Sequence, residues 1–175
     1  MLHEEIVRWE GEDDPAGPLA DLVLDAVAGG ASIGFVPPLT RDVALAYWRE
    51  VLASAARGER LLFLARDGAA VRGTVQLVPE RKLNGIHRAE IQKLVVHTDA
   101  RGRGLGSRLL ATAEEAALDA GHWLLLLDTA EGQPAERLYR RLGWEEIGVI
   151  PDFALRPDGH FGPAVLFTKR LPVPA

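Results

Sequence analysis

The apolar residues of this chain fall into short runs whose spacing changes from segment to segment, and Gly- or Pro-rich clusters separate the runs. Glu4 to Trp9 reads as a short strand, closed by the turn-forming stretch GEDDPAGP. Leu19 to Ala28 repeats its apolar residues at helical spacing and stops at Gly29-Gly30. Thr40 is placed to cap a helix over Arg41 to Ala56, because its hydroxyl oxygen can accept a hydrogen bond from a free first-turn N–H. RLLFLARDGAAVRGTVQLVP reads as two strands joined by a tight turn at Asp67-Gly68. A long strand is predicted over Ala89 to Val96, then a helix over Gly104 to Ala120 that Gly121 stops. HWLLLLDT is an apolar run of the kind expected for a strand buried on both faces. QPAERLYRRLG reads as a compact helix with Pro134 near its first turn and Gly143 as its cap. Trp144 to Ile150 and Ala164 to Lys169 read as two more strands, with PDFALRPDGHFG as their connection.

The predicted order is β-α-α-β-β-β-α-β-α-β-β, with no internal repeat and no linker. That order places helices over a mixed, mostly antiparallel sheet, an α/β (α+β) sandwich formed by a single domain over residues 1–175. Composition narrows the function. With 47% apolar and 26% charged residues the chain has the make-up of a soluble globular protein. A net charge of -5 gives no support to a nucleic-acid binder, which would carry an excess of Lys and Arg on one face. There is no cysteine, so disulfides, thiolate catalysis and cysteine zinc sites are excluded, and a reducing cytoplasm is the expected location. The acidic N-terminus lacks the apolar core of a signal peptide, and the longest apolar run, Trp123 to Leu127, is far too short to cross a bilayer. The five histidines, His3, His87, His97, His122 and His160, show no metal-ligand spacing, so no metal is expected. Trp9, Trp48, Trp123 and Trp144 read as packing residues.

The chemistry concentrates in VVHTDARGRGLGSRLL, a glycine-rich loop between a strand and a helix, which is a setting for a phosphate. The ATP-type loop needs G-x-x-x-x-G-K-[ST], and no lysine follows a correctly spaced glycine. The dinucleotide fingerprint G-x-G-x-x-G fits poorly. Ser107 stands where the final glycine belongs, and the motif lies at mid-chain after a hairpin, although Asp128 falls near the distance of the expected acidic residue. A third reading rests on Arg101-x-x-Gly104-x-Gly106: glycines bring the backbone close to a pyrophosphate, and the following helix adds free N–H groups and its positive dipole end. Arg101 and Arg103 supply further charge.

Those residues resemble the acetyl-CoA signature [QR]-x-x-G-x-[GA] of the GNAT superfamily of N-acetyltransferases. AERLYRRLGWEEIG is similar to the family's later helix with L-Y-x-x-x-G-[FW]. The resemblance implies a mostly antiparallel sheet of about seven strands with four flanking helices, splayed at the cofactor site. It further implies acetyl-CoA as co-substrate, held by backbone groups of Leu94, Val95 and Val96 and by Gly102, Arg103, Gly104, Leu105, Gly106 and Ser107. Arg101 and Arg137 (and Arg140) stand as charges within reach of the phosphates. One departure is visible: Thr98 stands where the family commonly has proline. Tyr139 matches the tyrosine that sits near the sulfur in many members. A phenol with a pKa near 10 keeps its proton at neutral pH and can donate it.

Glu90, where other members often carry a glutamate, is the first candidate for the base. Asp128, brought to the same splay by the neighbouring parallel strand, is the second. A carboxylate titrating near 4 is a poor base unless desolvated, which favours a water relay. Without cysteine, direct transfer in a ternary complex is expected over a ping-pong route. The alternative is a non-catalytic acyl-CoA sensor of the same fold. The acceptor is expected to be a small-molecule amine, and HRAEIQKL with PDFALRPDG is similar to the tabtoxin-resistance-like branch, which acetylates small molecules. The acceptor pocket falls to IGFVPPL, RKLNG and PDFALRPDGHFG, with Phe35 and Phe153 as walls and Asp152 or Asp158 to attract an ammonium. The family often forms homodimers.

Overall fold

The structure is a computed structural model that describes residues 4–172, so His3 lies outside it. The elements run β1 (Glu5–Arg8), α1 (Ala16–Ala28), α2 (Arg41–Ala56), β2 (Leu61–Asp67), β3 (Ala70–Pro79), β4 (Arg88–Val96) and α3 (Leu105–Asp119). They continue through β5 (Leu124–Ala130), α4 (Pro134–Arg141), β6 (Glu145–Leu155) and β7 (Phe161–Arg170). All seven strands form one sheet in the order β1-β2-β3-β4-β5-β7-β6. Every neighbouring pair is antiparallel except β4 and β5. The mixed, mostly antiparallel sheet with four helices is the architecture that the element order predicts.

Each face of the sheet has its own core. On one, α1 and α2 bury Leu19, Leu22 and Trp48 against Leu62 and Leu64. On the other, α3 and α4 bury Leu109, Leu110 and Tyr139 against Leu77, Ile91 and Leu125. Each such side chain contributes about 1.5–3 kcal/mol of transfer free energy, so the two layers hold the sheet from both sides. Thr40 does cap α2, its Oγ1 accepting from the Val43 N–H at 3.3 Å.

Four local expectations are revised. Helix α1 starts at Ala16 rather than Leu19, because the Asp14 carboxylate accepts from the Ala16 N–H at 3.0 Å and Pro18 fits a first turn, where its missing N–H is no loss. The β2–β3 turn lies on Gly68-Ala69, since Asp67 still pairs with Ala70 and Gly68 takes the positive φ of 59°. Strand β5 is not buried on both faces. Leu125 and Leu127 are buried under α3 and α4, whereas Leu124 and Leu126 are half-covered and Asp128 is open, because on the other face α1 packs over β3 and β4 and α2 over β2 instead. Much of PDFALRPDGHFG is strand: β6 continues to Leu155 through a bulge at Pro151–Phe153, where Asp152 has φ 52°.

Candidate active site

The site begins where β4 and β5 part. Their parallel pairing covers only Arg88–Glu90 against Leu124–Leu126, and beyond Glu90 the strands diverge. The edge of β4 that faced β5 then has no strand partner, and its backbone groups open into the gap. A bulge causes part of this. Opposite β3, the register slips between Thr74↔Val95 and Gln76↔Gln92, leaving one extra residue on β4, and Lys93 there has φ 50°. The extra residue also reverses which face each side chain meets. Ala89 and Ile91 pack under α3 before the bulge, but after it Leu94 and Val96 take that face and Val95 joins the α1/α2 core.

Strand β4 leads into the glycine loop. A 3-10 turn, Thr98–Ala100, redirects the chain, and Asp25 of α1 anchors it by accepting from both the N–H and the hydroxyl of Thr98, at 2.8 and 2.9 Å. Proline has no N–H, so this anchor replaces what a proline would supply by stiffness. Gly102 and Gly104 then adopt φ 74° and 78°, which L side chains rarely tolerate, and Gly104 caps α3. The first intrahelical bond runs from the Arg108 N–H to the Gly104 carbonyl. Among the described residues the N–H groups of Gly102 to Ser107 therefore have no protein acceptor. Together with the helix dipole they form an anion site. Gly106 opens the first turn of α3 beside Leu138 of α4, where a Cβ would sit in ordinary contact at 3.4 Å.

Strand divergence and loop together border one cavity of about 880 Å³. Of the residues singled out from sequence, Glu90, Leu94, Val95, Val96, Arg101, Gly102, Gly104, Leu105, Gly106, Ser107, Asp128 and Tyr139 line it. Arg103 and Arg137 do not, whereas Arg141 does. Arg140 is engaged with Glu136 and Glu146 and lies over the Phe167 ring. Arg101 folds back so that its Nε donates to the Val96 carbonyl at 3.0 Å. Of the stretches expected to shape an acceptor pocket, Ile33, Gly34 and Phe153 line the cavity, but Phe35 does not, nor does any residue of RKLNG, nor do Asp152 and Asp158. Among the described residues no group of three or more His, Asp or Glu side chains is arranged to hold a metal, and no helix is long and apolar enough to cross a membrane.

The polar groups of the cavity have distinct electrostatics. Tyr139 is buried against Trp144 and Phe167, and burial, with the nearby Asp128 charge, pushes its phenol well above the ordinary value. Partial burial raises the Asp128 carboxyl too, with Lys93 acting in the opposite direction. Glu90 Oε1 accepts from Gln92 Nε2 at 3.0 Å. Lys93 is the residue that sequence reasoning passed over. In HRAEIQKLVV it looks like an ordinary outward strand lysine, and only the bulge turns it into the cavity lining. Burial pulls its ammonium below the usual lysine value, while Asp128 and then Glu90 favour its charge.

Comparison with known proteins agrees with this architecture. A family model described as an acetyltransferase (GNAT) domain matches residues 57–146, just over half of the chain. An uncharacterized N-acetyltransferase encoded in the hisH-hisA intergenic region of Azospirillum brasilense is 36% identical over 117 residues, covering 66% of this chain and 68% of that protein. The aminoalkylphosphonate N-acetyltransferase of Salmonella typhimurium is 47% identical over 58 residues, 33% of this chain and 38% of its own length. Among solved structures, YncA of Salmonella typhimurium, described with acetyl-CoA as its cofactor, superposes with a TM-score of 0.73 at 20% identity over 98% of this chain and 96% of that one. With the diverging parallel strands, the capped glycine loop and the matching family model, the chain belongs to the GNAT superfamily of N-acetyltransferases.

Proposed function

We propose that this protein moves the acetyl group of acetyl-CoA to a primary amine of a small molecule, by direct transfer within a ternary complex. The observation that carries the reading is the single cavity in which the unpaired N–H groups of Gly102–Ser107, the opened edge of β4, two carboxylates and the Tyr139 phenol all meet. The loop N–H groups suit the pyrophosphate of coenzyme A, and Arg101 and Arg141 line the same cavity. Backbone donors of Leu94 to Val96 are suited to stabilise the negative charge that develops on the acetyl oxygen.

In the transfer, the neutral amine forms an N–C bond with the acetyl carbon while the C–S bond breaks. The amine gives up a proton and coenzyme A leaves as the thiolate, which takes a proton from solvent. Asp128, whose carboxyl is raised by burial, accepts the amine proton directly or through water, and Glu90 lines the same cavity as the other candidate base. Tyr139 donates a hydrogen bond to the departing sulfur. Its phenol sits above its usual value and a thiol ionises near 8.5, so complete proton transfer would be uphill. The curated relative named for aminoalkylphosphonates supports a small amine as acceptor.

Calorimetric titration tests the first half of the reading. Acetyl-CoA is expected to bind with micromolar affinity, and no heat at high micromolar concentration would overturn it.

A further inference from the structure

The cavity contains more charge than acetyl transfer requires. Lys93 occupies the β4 bulge at φ 50°, a left-handed conformation that is strained for a non-glycine residue. Its Nζ lies 5.9 Å from the centre of the Phe35 ring and 5.6 Å from that of Tyr47. Gly34 makes room for it: a Cβ there would stand 2.8 Å from Nζ. The surrounding cage is itself fixed. Phe35 packs edge-on to Tyr47 with ring centres 5.1 Å apart, and the Tyr47 hydroxyl accepts from Gln76 Nε2 at 3.2 Å.

Among the described residues the Lys93 ammonium has no hydrogen bond and no carboxylate oxygen within 4.0 Å. Ring faces attract a cation but cannot accept its three N–H bonds in line, so a half-buried ammonium remains without hydrogen-bonded acceptors. A buried charge is costly unless paired. Arg156 lines the same cavity from the end of β6, with Nε enclosed and lacking a protein partner, while its Nη2 donates to the Glu131 carbonyl at 3.3 Å. Glu90 and Asp128 supply the opposite sign on the same surface. A cavity that presents carboxylates for an amine and an unpaired cation beside them is complementary to a molecule bearing both signs.

We propose that the acceptor is a small primary amine that also carries an anionic group, a carboxylate or a phosphonate, with the anion seated against Lys93 and the amine turned toward Asp128 and Glu90. This rests on the acetyl-transfer reading above. An anion there takes up the free N–H groups of Lys93, and it fixes the distance from the anion to the amine. Lys93 would thus act as a specificity-determining residue.

The test uses four amines of equal chain length ending in a carboxylate, a phosphonate, a neutral amide or a second ammonium. Each is assayed for acetyl-CoA-dependent thiol release, and also titrated into protein saturated with coenzyme A. The unmodified protein is expected to favour one of the two anionic amines by at least tenfold in kcat/KM, chiefly through KM, and the better of the two identifies the anion. Lys93→Met should collapse that ratio, and Lys93→Glu should shift preference to the diamine. Unchanged acetyl-CoA affinity in both variants certifies their fold. Equal or greater preference for the neutral amine or the diamine in the unmodified protein overturns the inference and leaves acetyl transfer standing, as does a Lys93→Met variant that slows all four amines equally. Should no amine be turned over, the catalytic reading fails, and the binding titration still decides the inference by whether the anionic amines bind more tightly.

Discussion

In the proposed transfer, one side chain, Tyr139, would serve packing and chemistry together. Its ring fills the core between Trp144 and Phe167, and the same burial that makes it a core residue keeps the phenol protonated where it faces the cavity. Removing only the hydroxyl leaves the ring and most of the packing in place. Tyr139→Phe is therefore expected to lower kcat roughly 10- to 100-fold, the effect of one hydrogen bond to a charged sulfur, with acetyl-CoA affinity nearly unchanged. A kcat equal to that of the unmodified enzyme would restrict Tyr139 to packing. At this scale the sequence was informative for residues that belong to a motif. Glu90, Asp128 and Tyr139 do line one cavity, and Gly102 and Gly104 do take the left-handed conformations that only glycine adopts freely. Lys93 was invisible because a bulge has no sequence signature when the inserted residue is neither glycine nor proline. Arg137 and Arg141 lie on one short helix, and only the fold shows that Arg141, not Arg137, lines the cavity.

The elements differ in how clearly the sequence announced them. α2 was legible to the residue, because Thr40 caps it and its apolar spacing is regular. Its far end is held by something less obvious. The Arg57 guanidinium grips the Glu59 carboxylate with two bonds of 2.9 Å, and Ser54 Oγ donates to the same carboxylate at 3.0 Å. Arg60 continues from Ser54 to Gln76, which bonds Tyr47 of the Lys93 cage, so this helix end supports the acceptor side of the cavity. Arg57 first, and then Ser54, hold the Glu59 carboxyl at about 2, below the usual 4.5. A carboxyl depressed in the folded state stabilises the fold above its unfolded value, and that stability is lost as pH falls toward the folded one. Glu59→Gln is accordingly expected to lower Tm at pH 7, with the gap from the unmodified protein closing between pH 4.5 and pH 2. A gap that stays constant with pH would show that the charge is not responsible. The extension of β6 to Leu155 escaped the pattern because Pro151 and Asp152 read as a turn. The hairpin absorbs them as a bulge while its pairing with β7 resumes at Ala154.

For the molecule as a whole, the order of elements was legible because hydrophobic period and turn chemistry change together at each boundary. The functional consequence of that order was not, since it depends on where a parallel pair stops pairing. β4 and β5 separate after Glu90 and Leu126, and the glycine loop follows directly from the freed strand. The free N–H groups of the glycine loop, the opened edge of β4 and the side chains of Glu90, Asp128 and Tyr139 thus face one space, with helices α3 and α4 on one side and α1 on the other. Direct transfer requires that this space hold both substrates in one complex. The most direct measurement is the initial rate of coenzyme A thiol release, with the amine varied at several fixed concentrations of acetyl-CoA. Amine-dependent release with intersecting double-reciprocal lines is the expected result. Tight acetyl-CoA binding without any amine-dependent release would contradict catalysis and leave an acyl-CoA sensor, and parallel lines would contradict direct transfer.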